Sequence, residues 1–241
     1  MIRRQILAAA AALALTASLA TPLLAQQPAG PPPDALTDPA LKGPEVIAFI
    51  GVKPGNKVAD IVAGRFTRAF AQAVGPNGKL YAVMPDEIAK EQPRALPALK
   101  AGAAQSPNIE VVTGPINAVA LPSGLDAVFI RQNYHDLYDK FMGPADVPAF
   151  NKKVFAALKP GGVFVILDHT APAGSGLAST DTTHRIDPER VKADMKAAGF
   201  VFDGESKIFV NPADDHTKMV FDPAIRGKTD QFMYRFKKPA R

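Results

Sequence analysis

Cysteine is absent from this chain. That excludes a disulfide framework and a lipid-anchored cysteine behind a leader, and it fits an oxidising compartment in which a domain of this size needs no bridge. No dense block of Lys and Arg with interleaved aromatics occurs, so a nucleic-acid surface is not expected. A Gly-x-Gly-x-x-Gly turn is missing, which argues against a dinucleotide domain. No internal repeat and no break in composition mark a second domain. Beyond residue 25 no apolar run is long enough to span a bilayer, so no membrane span is expected in the mature chain.

The one long apolar run, residues 6–19, follows Arg3 and Arg4 and precedes small residues at Ala20 and Ala25. A positive start, a short apolar stretch and small residues at a cleavage point make a secretory signal peptide, too short and Ala-rich for a transmembrane helix. We expect residues 1–25 to be a signal peptide, 26–42 a Pro-rich extended linker with nothing to pack, and 43–241 a single α/β domain, periplasmic or secreted. Loss of Arg3 and Arg4 takes the net charge from +5 to +3, mild enough to imply no polyanionic partner.

Short continuous apolar stretches alternate with helical ones. Strands are expected at 58–62, 79–83, 109–112, 126–130 and 163–167, with the last two at 201–210 and 232–236. Helices are expected at 65–74, at 86–105 (broken by Pro93 and Pro97), at 147–158, and after the Asp187-Pro188 cap up to Gly199. Such alternation argues for a mostly parallel sheet covered on both faces.

Four segments in this order, VKPGNKVADI, RQNYHDLY, LKPGGVFVILDHTAP and THRIDPERVKADMKAAGF, resemble class I S-adenosylmethionine-dependent methyltransferases, and within them a group of exported bacterial proteins described as predicted methyltransferases. The resemblance implies a doubly wound, mostly parallel seven-stranded sheet of order 3-2-1-4-5-7-6 with helices on both faces. It also implies an S-adenosylmethionine cofactor over the carboxyl ends of strands one, two and four, the edge at which open α/β sheets bind ligands.

Carried onto this chain, the resemblance implies that Asp60 and Gly64 form the turn that approaches the methionine part, and that an acid after strand two, Asp86 or its neighbour Glu87, accepts the ribose hydroxyls, with Asp86 preferred. Arg131 and Asn133, at the end of strand four, are further cofactor contacts. Tyr134, His135 and Asp136 are the catalytic candidates: Tyr134 shapes the methyl site, His135 serves as a general base, and Asp136 orients the imidazole or caps the next helix. Residues 183–185 and 226–228 look like basic lid elements over the same edge. The four histidines follow carboxyl strand ends with Asp136, Asp168, Asp214 and Asp215 nearby, but none has a tight ligand spacing, so no metal is expected. The acceptor is expected to be a small molecule. The alternative is a periplasmic binding or accessory protein that keeps the fold without the reaction.

Overall fold

The computed structural model describes residues 33–143 and 145–240. Seven strands form one sheet: β1 (Lys57–Ile61), β2 (Lys79–Pro85), β3 (Ile109–Gly114), β4 (Leu125–Arg131), β5 (Leu158–His169), β6 (Val201–Ser206) and β7 (Gln231–Lys237). Their order is β3-β2-β1-β4-β5-β7-β6, as the resemblance implied. The first five run parallel, and β7 lies antiparallel between β5 and β6. β1 and β4 are buried over nearly their whole length, which is why both read as unbroken apolar runs.

The helices are α1 (Gly43–Ile50), α2 (Thr67–Val74), α3 (Asp86–Glu91), α4 (Ala95–Ala103), α5 (Val147–Ala157), α6 (Thr180–Thr183) and α7 (Pro188–Ala198). α2 is held on the sheet by a triangle of buried rings, Phe66, Phe70 and Phe129, with centroids 5.3–6.0 Å apart. α7 begins as expected: the Asp187 carboxylate accepts the Glu189 N–H at 3.0 Å, and Gly199 at φ 101° ends it. At the Lys159-Pro160-Gly161-Gly162 turn the second glycine is required by close approach. A Cβ on Gly162 would stand 3.0 Å from the Leu125 carbonyl oxygen, and the register jumps here from Leu125↔Leu158 to Ala127↔Val163.

Three expectations need correction. The Pro-rich stretch does not stay extended up to residue 42. Ala35 and Leu41 are buried, the Ala35 N–H donates to the Arg65 carbonyl at 2.8 Å, and Asp34 and Asp38 pair with Arg68 and Arg65. Two apolar side chains and two acids suffice to dock it, although its composition reads as a linker. The helix over 86–105 breaks at Pro93 as expected, since Pro93 cannot donate to the helical ladder, but not at Pro97, which lies in the first turn of α4, and α4 ends at Ala103. β6 stops at Ser206 rather than at 210: its ladder with β7, shifted in register between Phe202 and Gly204, ends at Ser206↔Met233. Residues 1–25 and 26–32 lie outside the described residues.

Candidate functional site

The carboxyl ends of β1, β2, β4 and β5 meet on one edge, and two groups of side chains collect there. The first surrounds the turn after β1. Asp60 is buried and accepts the Thr67 hydroxyl at 3.2 Å. Burial pushes its carboxyl up to about 7, with Thr67, the Gly64 amide and Arg131 pulling the other way. Val62 sits at φ 56°, a conformation that strongly disfavours a β-branched residue, and Gln132 beyond the neighbouring β4 sits at φ 55°. Strain of this kind gathers at functional sites. Gly64 is exposed, and a Cβ there would meet only the Val62 carbonyl oxygen, at 4.0 Å. The turn therefore leaves open space that the fold itself does not require.

Arg131, the last residue of β4, faces this turn. Its guanidinium lies 5.9 Å from the Phe66 ring centroid, and its Nε is buried without a hydrogen bond among the described residues. Burial, together with Arg65, lowers its pKa to about 10, and Asp168 and Asp60 partly offset that. Asp86 opens α3 directly after β2, which runs two residues past its expected end, and it is exposed with no bonded partner among the described residues. Neighbouring Glu87 is engaged: both its oxygens accept the Ile116 N–H. Asp60, Gly64, Asp86 and Arg131 thus lie on one rim. Asn133 does not join them; its amide donates to Asp136 at 2.5 Å.

The second group is built on the tight turn at His135–Tyr138 that follows β4. Here most side chains are buried and paired with one another. Tyr134 is wholly buried, its hydroxyl accepts the Asn151 amide at 2.9 Å, and its ring packs on Tyr138. It is part of the core. His135 is buried with both ring nitrogens engaged: Nδ1 lies 2.8 Å from Asp168 Oδ1 and Nε2 lies 3.1 Å from Asp136 Oδ1. Its backbone N–H also donates to Asp168 Oδ2 at 2.9 Å. Burial alone would depress the imidazole, but the two carboxylates hold it up to about 10. Both ring nitrogens therefore already have carboxylate partners, so neither is placed to take a proton from a substrate. Asp136 does orient it: burial would raise that carboxyl, and the His135 and His184 rings hold it well below the carboxylate range.

Sequence reasoning missed Asp139. It is buried, neither of its oxygens has a hydrogen-bond partner among the described residues, and His184 Nδ1 lies 3.7 Å from Oδ2. A signal was available: residues i and i+3 eclipse in a 3₁₀ turn, which stacks Asp136 and Asp139 on one side. The basic lid expected at 183–185 is not free either. Arg185 is completely buried, paired through two nitrogens with Asp214 at 2.9 and 3.1 Å. His169 stays neutral, its pKa depressed to about 3 by burial, with Nδ1 2.8 Å from the Thr229 hydroxyl. A cleft of about 530 Å³ between residues 35–47 and α2 contains none of the expected site residues.

No protein-family model matches this chain, and no curated protein matches it. Solved structures do share its fold. An S-adenosylmethionine-dependent methyltransferase from Aquifex aeolicus superposes with a TM-score of 0.58 at 20% identity, over 84% of this chain and 94% of its own. The cyclase SpnF gives 0.60 at 12% identity over 84% and 82%. A possible exported protein from Bordetella parapertussis gives 0.51 at 18% over 83% and 67%. The fold is therefore the Rossmann-like one of the class I methyltransferases. At such identities the likeness speaks for the fold alone, and it hosts more than one chemistry.

Proposed function

We propose that this protein is an S-adenosylmethionine-dependent methyltransferase acting on a small-molecule acceptor. The observation that carries the proposal is Arg131: a guanidinium with a buried, unpartnered Nε, facing an open glycine turn at the ligand-binding edge of the sheet. A buried donor without a partner is costly, and an amino-acid carboxylate would satisfy it. In this proposal Gly64 leaves room for the methionine part, Asp86 accepts the ribose hydroxyls, and Asp60 steadies the turn through Thr67 and the Gly64 amide. Bound there, S-adenosylmethionine supplies an electrophilic methyl group. The contribution of the chain is to hold the acceptor in line and to exclude water. The doubly bound His135 fits an acceptor that loses its proton without help.

Titration of the domain with S-adenosylmethionine and S-adenosylhomocysteine tests this directly. Saturable binding is expected, weakened by roughly 10- to 100-fold in Arg131→Met through loss of a charge-assisted contact. Absence of binding at millimolar ligand would leave the accessory-protein alternative in its place.

We also infer export. The leader read at residues 1–25 carries this, and among the described residues no helix is long and apolar enough to cross a membrane. N-terminal sequencing of material from the producing cells is expected to find the chain starting near Gln26; a soluble, intact Met1 form in the cytoplasm would overturn it.

A further inference from the structure

We propose that His135, Asp136, Asp139 and His184 form a binding site for one divalent transition-metal ion of the zinc type. Their nearest donor atoms all lie within 4.8 Å of one another. Nε2 of His135 stands 3.1 Å from Asp136 Oδ1, and Nδ1 of His184 stands 3.8 Å from that oxygen and 3.7 Å from Asp139 Oδ2. Four ligands at about 2.1 Å from a tetrahedral centre are separated by roughly 3.4 Å, so small movements of these side chains complete the shell.

Asp139 supplies the independent observation. Its carboxylate is 2% exposed as a residue, faces His184, and accepts no hydrogen bond from any described residue. Burial raises the Asp139 pKa, and the Thr180 hydroxyl, which donates to the Leu177 carbonyl at 3.3 Å, lies close enough to lower it in part. Buried carboxylates are paired or bind cations, and the nearest charged partner of this one, His184 at 3.7 Å, is beyond hydrogen-bond distance. The surroundings of His135 support the same conclusion. Asp168 accepts from Nδ1 and from the backbone N–H of His135, which fixes the ring with Nε2 aimed at Asp136. A carboxylate behind a ligating imidazole is the usual outer support of a metal-bound histidine. A cleft of about 330 Å³, lined by Leu137, Tyr138, Asp139 and Lys140, opens beside Asp139 and provides an approach. Two imidazoles with two carboxylates favour zinc-type ions over calcium or magnesium, which prefer all-oxygen shells. The sequence spacing hides the set, because His184 arrives from a loop 48 residues after Asp136.

The test uses tag-free mature protein stripped with a chelator, titrated with Zn²⁺ alone by calorimetry and followed by thermal melting. It reads no methyl transfer, so its outcome is separate from that of the cofactor titration. One equivalent per chain is expected, with a melting temperature roughly 5–10 °C higher at a hundredfold excess over Kd, and no comparable response to Mg²⁺. Asp139→Asn and His184→Ala should each weaken binding by at least about tenfold. His184 is partly exposed, so its variant is expected to fold even if the buried one does not. Failure of the stripped wild type to take up Zn²⁺, or wild-type affinity in His184→Ala, would overturn the site.

Discussion

Replacing Gly64 with valine is expected to abolish S-adenosylhomocysteine binding while leaving the fold intact. The two halves of that result have separate causes. The backbone at Gly64 lies outside the left-handed region, and a Cβ would meet nothing nearer than 4.0 Å, so the chain does not need a glycine here for its own sake. The residue is exposed, and a surface substitution without special backbone demands changes stability by about 0.5 kcal/mol or less. Far-UV circular dichroism and the melting temperature should therefore match wild type. A branched side chain would, however, project into the space between the turn and Arg131, where the proposal puts the amino-acid part of the cofactor. We expect a loss of at least about a hundredfold in affinity by calorimetry, with Gly64→Ala intermediate. Unchanged affinity in the valine variant would mean that any ligand is held elsewhere.

The largest expected effect on stability belongs to Asp214→Ala. Arg185 has no exposed surface, and its guanidinium donates to the Thr170 and Lys218 carbonyls as well as to Asp214. Asp214 also accepts the N–H groups of Asp230 and His216, so one ion pair ties together the loop before α7 and the long segment between β6 and β7. Removing the carboxylate leaves a buried guanidinium unpaired, at a cost of about 3–5 kcal/mol. For a domain of this size that lowers the melting temperature by roughly 6–20 °C. The double variant Arg185→Met/Asp214→Leu should lose much less, since it leaves no orphan charge; an equal loss in both would show that packing rather than charge is responsible.

The pH dependence follows from the same pair. Burial would raise the Asp214 carboxyl, but the Asp230 amide, Arg185 and the His216 amide hold it below its ordinary value. A depressed carboxyl contributes stability that is present above its unfolded value, about 3.9, and is lost as pH falls through the lower folded one. The gap in melting temperature between wild type and Asp214→Ala should therefore narrow below about pH 4.

Much of this molecule is legible in local pattern. The apolar runs after Lys57, Lys79 and Asp126 are strands because both faces of a parallel sheet are covered, and a strand buried on both sides has no reason to alternate. The Asp187-Pro188 start and the Gly199 stop of α7 are backbone chemistry, set by hydrogen bonds that span a few residues. The polar stretch after β4 also stands out in the sequence, and its position at the ligand edge followed from the strand order.

The roles within that stretch were not legible, and the reason is physical. Whether His135 is free to act as a base or is held by carboxylates depends on Asp168, which reaches it only because β5 lies beside β4. Whether Arg185 is a lid residue or an anchor depends on Asp214, which lies in a loop between two other strands. Local propensity and periodicity by themselves determined most of the elements, and the resemblance implied the strand order and with it the edge where they gather. Tertiary structure alone decided which buried charges meet there, because protonation and pairing are set by burial and by partners within about 4 Å, and the fold brings those partners from residues 29 to 48 positions apart in the chain.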